Sequence, residues 1–177
     1  GNRCSHRKAH NVYGMQMARA TYQGLKKFSY PKRPFVITRA AYSGTQRYTS
    51  SWTGDNIATW EHLSIANIQA QRMCMSGFSF IGSDIGGFAE QPNGELYARW
   101  IQLGIFHPFC RTHSSGDHGD QEPWSFGPNV TNIVRKFIEI RYQLLPYLYT
   151  SFWRYANEGI PILKSLVLYD QKDPHNY

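Results

Sequence analysis

The chain has 177 residues, 41% of them hydrophobic, enough for one domain with a sizeable core and too many for a disordered or low-complexity chain. Its apolar stretches are too short and too interrupted to cross a bilayer, so no membrane partner is expected. The formal charge of +7 is uneven: residues 1–54 carry ten Lys or Arg and no Asp or Glu, while the remainder is slightly acidic.

Asn11 is a plausible N-cap, and Val12, Met15, Ala18, Tyr22 and Leu25 fall at helical spacing to about Lys27. Ser29-Tyr30-Pro31-Lys32 breaks that helix. Arg33–Ala40 and Tyr48–Asp55 read as β-rich runs. Trp60–Ser76 reads as a helix closed by Gly77. Phe78–Ser83 is a third expected strand, Glu95–Phe106 an amphipathic helix and His107–Thr112 a fourth strand. Val130–Asn157 is a long aromatic-rich helix with an expected bend at Pro146 and a stop at Gly159. Ile162–Tyr169 reads as a strand that begins a new region.

Strands alternating with helices argue for parallel strands joined by crossover helices. A doubly wound sheet and a (β/α)8 barrel both satisfy that order, and four strand–helix units amount to half a barrel. Gly1 is not an initiator methionine and no charged-then-apolar leader follows it, so the expectation is a piece of a longer chain. Cys4, Cys74 and Cys110 fit no zinc spacing and are read as free thiols. The basic third could face nucleic acid. Its cations are spread along a helix, a loop and a strand, however, and the favoured reading is packing against an acidic segment elsewhere, with no nucleic-acid partner.

The strand ends carry the chemistry. The four expected strands run into Arg39, Asp55, Asp84 and the trio Arg111-Thr112-His113. In both architectures, ligands bind at the carboxyl ends of the strands. Any one of these residues could be a turn or surface residue; four together at one rim need partners or a substrate. Trp52 and Phe88 stand beside them, and flat apolar walls alternating with charged hydrogen-bonders favour a sugar pocket. Glycosidic cleavage takes two carboxylates. Asp55 has the setting of the proton donor, because Gly54 leaves its backbone unencumbered and Trp52 could shield it and raise its pKa. No equally good second carboxylate is evident; Asp84 lies in a tight Gly-rich turn and looks like a binding residue. Asp117 and Asp120 lie in the loop 114–120, expected to be solvated.

Ser51-Trp52-Thr53-Gly54-Asp55-Asn56, Gly82-Ser83-Asp84-Ile85-Gly86-Gly87-Phe88, Arg111-Thr112-His113 and Leu145-Pro146-Tyr147-Leu148-Tyr149 together resemble glycoside hydrolase family 31, from Asn11 to about Tyr169. The resemblance implies the second half of a (β/α)8 barrel over residues 1–160, with 161–177 starting the following C-terminal β region. It implies Asp55 as general acid/base, with Arg39, Asp84 and His113 on the sugar hydroxyls and Trp52 and Phe88 as pocket walls. Arg111 stands with these substrate-binding residues. The family's nucleophile belongs to a Trp-x-Asp-Met-Asn-Glu motif that does not occur here, so it is expected, with the first half of the barrel, outside this chain. The implied activity is retaining hydrolysis of terminal α-linked glucose from oligosaccharides, without metal or cofactor. The Trp-Thr-Gly-Asp-Asn form looks more like α-glucosidases than α-xylosidases. An α-xylosidase, an α-glucosyltransferase and a non-catalytic glycan-binding protein stay open. So does a metallohydrolase using His113, Asp117, His118 and Asp120, although those residues sit on no rigid element.

Overall fold

A computed structural model describes residues 3–176 and divides the chain into two compact units, ending and beginning at Trp52 and Thr53. In the first unit, helix α1 spans His6–Phe28. It starts five residues before the expected Asn11, with Ser5 in extended conformation at the N-cap. The Ser29 N–H donates to Leu25 O at 2.8 Å and ends it. The expected strands Arg33–Ala40 and Tyr48–Asp55 meet at a single parallel bridge, Ile37 to Ser50. Thr38 N donates to Ser50 O and Ser50 N to Val36 O, and Ser51 Oγ adds a bond to Thr38 O. Residues 45–47, in the connection between the two runs, turn as a 3-10 helix.

In the second unit, helix α2 spans Trp60–Met75. Thr59 caps it by accepting the His62 N–H, which satisfies one of the four donors a helix N-terminus leaves open. Helix α3 spans Gly94–Gly104, capped in the same way by Asn93, whose side chain accepts the Leu96 N–H at 2.8 Å. Helix α4 spans Pro128–Glu158 and ends on Gly159 in the left-handed region. It runs through Pro146, which lacks the N–H that would bond one turn back.

Strand β1 (Asp84–Ile85) pairs in parallel with β2 (Arg111–Thr112). A further parallel bridge joins Ile57 to Ala89. The expected strand Phe78–Ser83 is therefore displaced: its paired residues begin at Asp84. Upstream of them, Ile81 O and Gly82 O accept from Phe109 N and Thr53 N. The segment is hydrogen-bonded on two sides without an unbroken ladder. His107–Thr112 is likewise paired only at its last two residues. Every backbone pairing that was found is parallel, as the strand–helix order required, but four full strands are not present among the described residues. The expected strand Ile162–Tyr169 does not form either. Leu166–Leu168 is a 3-10 turn.

The core explains why this unit holds together. Ile85 of β1, Leu96, Tyr97, Trp100 and Ile101 of α3, Ala66 of α2 and Val134 of α4 form one buried cluster. Trp100 donates from Nε1 to Ser83 Oγ at 2.9 Å, so the largest core side chain is polar-satisfied and tied to the segment beside Asp84. Truncating such a residue to Ala costs about 3–5 kcal/mol. Gly82 is required by a close approach: a Cβ there would lie 1.8 Å from Phe109 O. At the far end, Arg141 of α4 donates to the carbonyls of Ile105, His107 and Pro108, closing the turn between α3 and β2.

Candidate active site

Asp84 is the most enclosed charged group of the candidate set, with none of its surface exposed. It lies within β1, and its paired residue in β2 is Arg111. Adjacent parallel strands thus set the two side chains side by side. Arg111 donates from Nη2 at 2.7 Å and from Nε at 3.2 Å, both to Asp84 Oδ1. Oδ2 is buried and accepts no hydrogen bond among the described residues. Burial pushes the Asp84 carboxyl above its usual range; the Arg111 bonds and charge pull the other way, as does His113, while Asp55 pushes up. Arg111, His113 and Asp55 thus each act electrostatically on Asp84.

His113 follows β2 and lies against Phe88, ring centroids 5.4 Å apart and tilted by 35°. Phe88 is held from behind: its N–H donates to Asn56 O at 2.7 Å, and Ala89 N donates to the same oxygen. Asn56 in turn accepts the Thr53 hydroxyl at 2.6 Å. The turn that carries Asp55 is therefore shaped by Asn56 and tied to the turn that carries Phe88. Ala58 N to Ala89 O continues the seam. Gly87 makes it possible. Its φ is +92°, and a Cβ would meet Ala58 N at 2.6 Å.

Asp55 itself is exposed. Arg39 is exposed and Trp52 half-buried, both in the first unit; within the second unit the structure brings together Asp55, Asp84, Phe88, Arg111 and His113.

The loop 114–120 is solvated, as expected. Most of it is exposed, yet it is laced to the turn after β1. Ser115 N donates to Phe88 O, Gln91 Nε2 to Asp120 O and Gln121 Nε2 to Gly87 O. A cavity of about 360 Å³ lies along it, lined by His113, Ser114, His118, Asp120, Gln121 and Glu122 among others. Gln91 and Gln121 were not singled out from the sequence, and His118 was read there only as a metal-ligand candidate and Asn56 only as part of the Asp55 motif. The available signal was the set of amide and imidazole side chains flanking the two motifs. Among the described residues, no group of His, Cys, Asp or Glu is arranged to hold a metal ion. No helix of the described residues is long and apolar enough to cross a membrane.

Residues 1–151 match the model of the Glycosyl hydrolases family 31 TIM-barrel domain. The chain belongs to glycoside hydrolase family 31. Family 31 relatives agree along its length. It is 45% identical to Alpha-glucosidase 2 of Bacillus thermoamyloliquefaciens, covering 100% of this chain and 22% of that protein. It is 43% identical to Glucosidase 2 subunit alpha of Saccharomyces cerevisiae, covering 94% of this chain and 18% of the relative. A crystal structure of a Tris-bound glucosidase II alpha subunit superposes with a TM-score of 0.93 at 37% identity, over 97% of this chain and 19% of the other. The family 31 alpha-glucosidase of Bacteroides thetaiotaomicron superposes with a TM-score of 0.91 at 38% identity, over 98% of this chain and 30% of the other. The chain thus spans about a fifth of the length of the curated relatives it matches.

Proposed function

We propose that this chain supplies the second half of the catalytic (β/α)8 barrel of a longer retaining α-glucosidase that removes terminal α-linked glucose from oligosaccharides. Residues 1–160 are the barrel part, and 161–177 lead into a C-terminal β region. The observation that carries the reading is the carboxylate of Asp84. One oxygen is gripped by Arg111, and the other is buried with no donor. A buried acceptor without a partner is costly unless a ligand supplies one, and a sugar hydroxyl is a fitting donor.

In this reading Asp84 accepts hydroxyl hydrogens while Arg111 fixes its orientation. His113 binds a further hydroxyl, and Phe88 gives a flat apolar wall. Arg39 and Trp52 take their places by resemblance to the family motifs. Asp55 donates the proton to the leaving oxygen and then activates water. The nucleophile, about 5–5.5 Å from it in a retaining site, is supplied by a carboxylate outside these residues. The names of the relatives support the glucoside substrate, as does the Trp-Thr-Gly-Asp-Asn form of the acid/base motif.

The test is the anomer first released by the longer protein from an α-glucoside, followed by proton NMR. The α-anomer appearing first supports the retaining reading. The β-anomer appearing first, or no release of glucose, contradicts it.

A further inference from the structure

The loop after β2 carries His113 and is rich in Gly and Ser, a composition that on its own leaves a segment many conformations to lose. What orders it is a lattice of side chains outside the family's acid and sugar-binding set, with His118 at the centre. Its Nε2 lies 3.2 Å from Phe88 O, and its Nδ1 lies 3.1 Å from Gln91 Oε1. Both partners are acceptors, so whichever nitrogen carries the hydrogen meets one. The Gln91 carboxamide cannot simply turn over, because its Nε2 is already donating to Asp120 O at 3.1 Å. Phe88 O also accepts Ser115 N at 2.9 Å. On the far side of the loop, the buried Gln121 amide donates to Gly87 O at 3.0 Å. Each of these contacts joins the loop after β2 to the turn after β1. The ring of Phe88, whose carbonyl takes part in these contacts, lies against that of His113, with centroids 5.4 Å apart.

We propose that His118 is a positioning residue: with Gln91 and Gln121 it clasps the loop after β2 onto the turn after β1, and so sets His113 against Phe88. His118 touches no substrate in this account. It acts through the Phe88 carbonyl on one side and, through the loop it anchors, on His113 on the other. The catalytic consequence rests on the glycosidase reading; the clasp does not.

The experiment uses the longer protein in two arms. In the first, amide exchange is followed by mass spectrometry. His118→Ala speeds exchange across residues 113–121 by about tenfold or more and leaves α3 unchanged. His118→Gln, whose amide nitrogen can stand where Nε2 stood, recovers at least half of that change. Unchanged exchange in the loop overturns the clasp. In the second arm, kcat/KM for an aryl α-glucoside falls about tenfold in His118→Ala, but less than about twofold when His113→Ala is already present. An equal fall in both backgrounds overturns the positioning role. If the unsubstituted protein turns over no α-glucoside, the glycosidase reading fails, and the exchange arm still decides the clasp.

Discussion

Arg111 meets Asp84 as a two-pronged donor on a single carboxylate oxygen, at 2.7 and 3.2 Å, leaving the second oxygen buried and open. Parallel pairing of β1 with β2 sets this geometry, since the two residues are Cα partners in the ladder. The pair is therefore both a brace between strands and an acceptor held ready.

Breaking the pair from one side strands a charge. Arg111→Met leaves the Asp84 carboxylate buried without its cation and should destabilise the barrel by about 3–5 kcal/mol. The double variant Arg111→Met/Asp84→Leu should recover much of that loss and still bind no sugar. Thermal melting and inhibitor titration of the longer protein check both halves. A double variant no more stable than Arg111→Met would show that the pair is not the source of the loss.

Two glycines separate folding from function. Gly82→Ala drives a Cβ into the backbone carbonyl of Phe109. It should abolish soluble folded protein, beyond the roughly 1–3 kcal/mol that overpacking usually costs. Gly87→Ala presses on Ala58 N at 2.6 Å and strains a φ of +92°. It should spread the seam between the Asp55 and Phe88 turns, leaving a foldable protein with a raised KM. Soluble yield and Michaelis kinetics distinguish the two outcomes.

His107 should give the barrel an acid-sensitive stability. Its ring is 1% exposed, and neither nitrogen has a hydrogen-bond partner among the described residues. Burial, with the Arg141 charge adding to it, pushes its pKa down from 6.5 to about 4. The unfolded chain therefore takes up a proton below about pH 6.5, which the folded form refuses until about pH 4. Stability is full above that window and declines through it, by roughly 3 kcal/mol in all. His107→Phe should flatten this part of the stability profile. Melting temperatures at pH 7.5 and 5.0 for both proteins test it; an acid shift of the same size in the variant would contradict the assignment.

The helices were legible because their signals are local. Apolar spacing marked Trp60–Ser76, one residue longer than the helix observed, and Gly159 marked the end of α4. The strands were less so. Whether residues such as Phe78–Ser83 or Ile162–Tyr169 enter a ladder depends on neighbours far away in sequence, and composition alone does not supply them. At the site, Asp55, Asp84 and His113 stood out by motif. The bond from Arg111 to Asp84, across 27 residues, and the lacing by Gln91, His118 and Gln121 depend on register between strands and loops. No short-range pattern encodes that register.

The role given to Asp55 is the centre of the account, and the leaving group tests it most directly. In the longer protein, Asp55→Asn removes the proton donor. Glycosylation rates on a disaccharide, whose leaving oxygen needs protonation, should fall by about 10²–10⁴-fold. A dinitrophenyl α-glucoside, whose leaving group needs little protonation, should lose far less at the same step. Single-turnover rates on the two substrates give the comparison. A much larger loss on the disaccharide is the predicted result; equal losses on both would contradict the assignment of Asp55 as the acid.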